Sequence, residues 1–287
     1  MCELPGLELG RVEALHRARV ASRRLRELLP LLELDSKTTR NLNRKLRRVT
    51  RQLGTVRELD VLTGLIDEFD ERGRYPSAAL MKLREAIGRK RDAARERLAA
   101  KLPSAKLQRL ADSLARTVKP EKREAKDGTN PRRPPRAALW ALDARLAHRA
   151  GRVRTAIEIA GALYAPERLH DVRIALKKMR YAAELSVEAG RPRLSADVAV
   201  LKAAQHLLGR LHDYDTLVAA GREAQASLVP PDFATWRQLK SLVHGIEDDC
   251  RQMHARYMRD RARLIAIADR LAVDQPVAPA RVSRAAG

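Results

Sequence analysis

The chain has 287 residues, enough for one large domain or two ordinary ones with a real core. Its 58 Lys and Arg against 36 Asp and Glu leave a formal charge of +22, well beyond what solubility requires, so a polyanion or an anionic membrane surface is the expected partner. Cys2 and Cys250 form no CxxC pair, the first residues carry no basic-then-apolar leader, and no uncharged apolar run reaches spanning length. A disulfide framework, a zinc site and a membrane span are therefore not expected, and a soluble cytoplasmic protein is.

Apolar positions recur every three or four residues in a chain rich in Ala, Leu, Arg, Glu and Lys, which predicts an all-α fold. In chain order, helices are expected over 8–29, 37–70, 77–101, 104–118, 136–160, 167–189, 194–224 and 232–272, with Pro30, Pro76, Pro103, Pro166, Pro192 and Pro230-Pro231 at the breaks. Gly54 and Gly209 are the expected interruptions inside two of the longer segments. Residues 119–135 are polar and Pro-rich and read as a linker. Residues 273–287 lack periodicity and read as a disordered tail. The resulting picture is a single domain over 8–272. It comprises an N-terminal bundle (8–118) and a C-terminal bundle (136–272) of about four helices each, related by a pseudo-twofold.

An internal repeat supports that picture. Leu15-His16-Arg17-Ala18-Arg19-Val20-Ala21-Ser22-Arg23-Arg24-Leu25-Arg26 returns as Leu169-His170-Asp171-Val172-Arg173-Ile174-Ala175-Leu176-Lys177-Lys178-Met179-Arg180. Leu46-Arg47, Leu53-Gly54, Glu58, Asp60 and Leu62 return, in the same order, as Leu201-Lys202, Leu208-Gly209, Asp213, Asp215 and Leu217.

On a helix, His16, Arg19, Arg23 and Arg26 fall within an arc of about 80°, beside a stripe of Ala and Leu that serves as the core face. His170, Arg173, Lys177 and Arg180 repeat the arc. Like charges at these spacings repel one another, and a bound anion relieves the repulsion. Arg40, Arg44, Arg47 and Arg51 form a further basic face, with Lys202 and His206 standing where Arg47 and Arg51 stand, and His212 where Arg57 stands. A solvated face has no reason to keep sign and spacing twice over, so the arcs read as phosphate-binding surfaces. A neighbouring polyanion also favours the imidazolium form of His16 and His170.

The Leu-His-x-x-Arg pattern at 15–26 and 169–180 resembles the signature of the CHAD domain, a conserved-histidine α-helical domain. Leu53-Gly54 with Arg57-Glu58-Leu59-Asp60, and Leu208-Gly209 with His212-Asp213-Tyr214-Asp215, are similar to its second element. The resemblance implies two pseudo-symmetric four-helix bundles whose basic surface binds inorganic polyphosphate without catalysis, with no cofactor, and it suggests an association with polyphosphate granules. By matching positions, the phosphate-binding roles fall on His16, Arg19, Arg23, Arg26, Arg47 and Arg57, and on His170, Arg173, Lys177, Arg180 and Lys202. Arg51, His206 and His212 extend the set.

Three other readings compete. Nucleic acid, RNA above all, is a polyanion too, but a chain with two Trp, two Phe and five Tyr has few platforms for base stacking. Glu13-x-x-His16 and Glu167-x-x-His170 have the spacing of di-iron bundles, with Asp60 and Asp215 as further carboxylates, yet Arg19 and Arg23 share the face of His16 and repel a divalent cation. A metal phosphohydrolase is suggested by His170-Asp171 and His212-Asp213, but the repeat replaces those dyads with His16-Arg17 and Arg57-Glu58. The expectation is a non-catalytic basic groove built from the two arcs, with oligomeric state left open.

Overall fold

The computed structural model describes residues 12–29, 34–117, 136–229 and 232–273. It is all-α. The helices are α1 (Val12–Leu28), α2 (Ser36–Glu71), α3 (Ser77–Lys101), α4 (Ser104–Thr117), α5 (Arg136–Ala160), α6 (Pro166–Glu188), α7 (Ser195–Ala226) and α8 (Phe233–Val273), with a 3-10 turn at Pro192–Leu194 ahead of α7. No strand occurs among the described residues, and none of their helices is long and apolar enough to cross a membrane. The expected linker at 119–135 lies outside the described residues, as does the expected tail apart from Val273, which closes α8.

The helix ends follow local chemistry. Asp35 caps α2 by accepting from the amides of Lys37 and Thr38, and these bonds, with the Thr38 side chain foremost, hold its carboxyl below the usual range. Asp232 caps α8 in the same way through Ala234 and Thr235. Pro166 opens α6 at a position where a missing amide costs nothing. Gly73 (φ 61°) lets the chain leave α2 in a left-handed turn that a side chain resists.

Contrary to expectation, α2 and α7 run unbroken through Gly54 and Gly209. A glycine inside a helix costs only about 1 kcal/mol. The flanking Leu53 and Val56, and Leu208 and Leu211, are buried, and each such side chain gives back roughly 1.5–3 kcal/mol. Packing wins over propensity.

The chain divides into two compact units, Met1–Gly128 with Leu207–Arg256 and Thr129–His206 with Tyr257–Gly287. The divisions fall inside α7 and α8. Residues 207–256 therefore group with the first sequence half, and the contacts show why: Arg210 grips Glu68 of α2, and Asp249 takes both Arg74 and Tyr75.

In the first unit α1 packs on α2 and α2 on α3. Leu15, Val49, Leu53 and Val56 meet Ala94 and Leu102, while Leu29, Leu42 and Leu46 lie under Leu110 and Leu114 of α4. In the second unit α5 packs on α6. Repeat-equivalent leucines are buried throughout (Leu15 and Leu169, Leu46 and Leu201, Leu53 and Leu208, Leu62 and Leu217), so the repeat is first of all a pattern of interior contacts. The cation arcs are its other face.

Candidate functional site

In the first unit the α1 arc meets α2. His16 is exposed, and Arg19, Arg23 and Arg26 are half-buried. Partial burial, then the charges of Arg57, Arg19 and Arg23, press the His16 pKa below 6.5. Side chains that the repeat singled out therefore act on one another across two helices. Arg26 Nε donates to Asn43 Oδ1 at 3.1 Å, a neutral partner that brings no counter-charge. Arg19 lays its guanidinium against Gly54, where a Cβ would sit 3.7 Å from Nη2.

Asn43, Arg47 and Gly54 fall within about 40° of one another around α2, which puts Arg47 on the side where Arg26 and Arg19 land. Arg51, like Arg47, is exposed, and it stands further round the helix. Ser22, buried in the core stripe of α1, bonds Thr50 at 2.9 Å and pins the two helices in register behind the arc.

Gly54 thus lies under Arg19 without breaking the helix, with room for a methyl. Gly54→Ala is expected to raise stability by about 1 kcal/mol, because the added methyl makes an ordinary contact and improves helix propensity. Gly54→Leu is expected to push Arg19 off the helix and weaken polyanion binding. Thermal melts paired with polyphosphate titration check both, and a Leu variant that binds normally would remove Gly54 from any part in placing Arg19.

The second unit repeats the arc with a difference. His170, Arg173 and Lys177 are half-buried on α6, but Arg180 is tied down. Its Nε donates to Gln205 Oε1 at 2.7 Å, its Nη1 reaches Glu184 Oε1 at 2.5 Å, and its guanidinium lies over the Tyr181 ring. Lys202 Nζ stands 3.5 Å from the same Glu184 oxygen. One carboxylate therefore offsets two of the arc's cations. The equivalent position in the first repeat is Pro30, so the first arc cannot draw a counter-charge from there. Sequence reading missed Glu184, although the Arg180-x-x-x-Glu184 spacing signals an i,i+4 pair. His206 is exposed on the part of α7 in the second unit, whereas His212 is half-buried on the part in the first.

The motif acid Asp60 acts structurally, since its buried carboxylate accepts from Arg95 Nη2 at 3.1 Å and ties α3 to α2. Among the described residues no three His, Cys, Asp or Glu side chains gather where a metal ion could sit. The arcs offer donors and positive charge, the equipment for holding an anion.

The CHAD domain family profile matches residues 3–222 of the chain. Among solved structures, PptA from Streptomyces chartreusis is similar, with a TM-score of 0.54 at 18% identity over 94% of this chain and 91% of that one, a likeness of fold. No curated protein matches the sequence.

Proposed function

Since the chain belongs to the CHAD family, which is linked to polyphosphate binding and is generally non-catalytic, we propose that it binds inorganic polyphosphate without transforming it, through the basic faces of α1–α2 and α6–α7. The observation that carries this reading is the gathering of His16, Arg19, Arg23 and Arg26 on one face of α1 against α2, where Arg26 bonds Asn43, Arg19 lies against Gly54, and partial burial, then the charges of Arg57, Arg19 and Arg23, lower the His16 pKa. Such crowding destabilises the empty protein and is relieved by an anion. His16, Arg19, Arg23, Arg26, Arg47 and Arg57 form the primary surface, with Arg51 at its edge. His170, Arg173, Lys177, Arg180 and Lys202 form the second surface, with His206 beside it, and His212 adds a donor within the first unit. A phosphate chain has no bases, so recognition needs only charge and directed N–H donors, which arginine supplies in pairs. Binding of this kind suits a protein targeted to polyphosphate granules in the cytoplasm.

The test is competition at near-physiological salt between long-chain polyphosphate, single-stranded RNA and duplex DNA. Polyphosphate is expected to win by at least about 1.4 kcal/mol, tenfold in affinity. Equal competition, or a win for RNA, would replace the proposal with a general polyanion surface. Affinity is also expected to fall steeply with salt as bound counterions are released.

A pH dependence follows from His16. Its pKa in the empty protein lies below 6.5, and a bound polyanion raises it, so the complex holds more protons than its parts. Affinity therefore rises as pH falls through the bound-state pKa, and the gain is complete below the free-state pKa. Titrations from pH 8 down to pH 5 check this, and His16→Gln is expected to flatten that part of the profile. An unchanged profile would take His16 out of the phosphate contacts.

A further inference from the structure

A cavity of about 410 Å³ opens between α2 and α4, away from the arc. Its α2 residues Lys45, Arg48 and Gln52 lie about 120–180° around the helix from Gly54, on the opposite flank to the one Arg19 covers. Lys106 and Arg109 of α4 complete a ring of four cations, and none of the described residues lining the cavity is acidic. Lys106 and Arg109 bond backbone carbonyls, and none of the four makes an ion pair among the described residues. That is unlike many surface cations of this chain: Arg84 has Asp67, Lys90 has Glu223 and Arg154 has Glu158.

The floor is apolar, built from Val49, Leu102 and Leu110. A bare phosphate chain gains nothing from such a wall, whereas an anion with an organic body covers it. Gln52 adds a polar group to the wall whose buried Oε1 has no hydrogen-bond partner among the described residues. Charge at the rim, aliphatic surface below and one unsatisfied amide are the features of a pocket for a small amphiphilic ligand. The second unit has a smaller cavity of about 310 Å³, also basic, but Asp171 stands among its cations.

We propose that the α2–α4 cavity binds a small phosphate-rich organic anion of the nucleoside triphosphate class, its phosphates on Lys45, Arg48, Lys106 and Arg109 and its base on the aliphatic floor. This site is separate from the polyphosphate surface and does not depend on it. The probes are ATP and inorganic tripolyphosphate, close in charge and different in body, titrated calorimetrically into the full chain at physiological ionic strength. ATP is expected to bind at least tenfold more tightly.

Lys45→Glu with Arg109→Glu, both exposed positions, is expected to cut ATP affinity tenfold or more while long-chain polyphosphate binding persists. Arg19→Glu with Arg23→Glu is expected to do the reverse. Circular dichroism checks helicity, and should the cavity double variant unfold, Arg48→Gln makes the same comparison. Equal affinity for the two probes, no measurable ATP binding, or ATP binding lost with the arc variant and kept with the cavity variant would each overturn the proposal. A polyphosphate surface that failed its own test would leave these outcomes readable.

Discussion

Arg19→Glu together with Arg23→Glu is expected to lower polyphosphate affinity about a thousandfold with helicity retained. Each charge-assisted hydrogen bond contributes about 1.5–3 kcal/mol, so losing two and adding two repulsive carboxylates removes several kcal/mol. The effect is large because several cations gather here: Arg57, Arg19 and Arg23 all act on His16, and the position four residues past Arg26 is Pro30 where the second arc has Glu184. The α6 arc behaves differently, since Glu184 already occupies Arg180 and Lys202. Any phosphate arriving there displaces or tolerates a carboxylate with 13% of its side-chain surface exposed. Glu184→Gln is therefore expected to raise affinity, by up to about tenfold, by releasing two cations. Equilibrium titration of the wild type and both variants checks the pair. If the arc double variant bound normally, or Glu184→Gln weakened binding, the unequal roles of the two arcs would be wrong.

That inequality marks the limit of what the sequence discloses. Helix positions were legible because periodicity is a local property, and each predicted segment coincides with a helix to within a few residues, apart from the start of α1, whose first expected residues lie outside the described ones. The arcs were legible because repetition at fixed spacing places like side chains on like faces. Side-chain partners were not. Arg180 and Arg26 are identical in the repeat, and their bonds to Gln205 and to Asn43, each on another helix, show only in the fold. Gly54 reads as a helix breaker on propensity, and its use as a bed for Arg19 depends on the distance between α1 and α2. The grouping of residues 207–256 with the first unit was equally hidden, because Glu68 and Arg210 are far apart in sequence and neither stands in a recognisable pattern.

The same grouping sets the second large effect, which falls on stability. Tyr75 donates its hydroxyl to Asp249 Oδ2 at 2.7 Å, and Arg74 Nη1 stands 2.8 Å from Oδ1. The Tyr75 ring packs on Phe69 at 4.8 Å, and its edge fills the space over Gly245, where a Cβ would come within 2.8 Å. Phe69 in turn meets Tyr214 edge-on, and Tyr214 accepts a hydrogen bond from Arg210, which forks onto Glu68. The end of α2, the turn after it, α7 and α8 are held by this one cluster.

Asp249→Ala strands a buried hydroxyl and removes the carboxylate from Arg74. A loss of about 3 kcal/mol is expected, seen as a lower denaturation midpoint at unchanged slope. Tyr75→Phe removes only the donor, while Arg74 still satisfies Asp249, so about 1 kcal/mol is expected. The double variant should cost little more than Asp249→Ala alone, as befits groups that act through one another.

Burial, followed by the Asp249 bond and charge, raises the Tyr75 pKa above its usual 10.0. A group whose folded pKa is raised contributes stability in full below the unfolded pKa and loses it as pH climbs. The clasp is thus intact at neutral pH and weakens only above about pH 10, and Tyr75→Phe should blunt that alkaline loss. Additive losses in the double variant, or an alkaline profile indifferent to Tyr75, would mean that the hydroxyl and the carboxylate stabilise the unit independently.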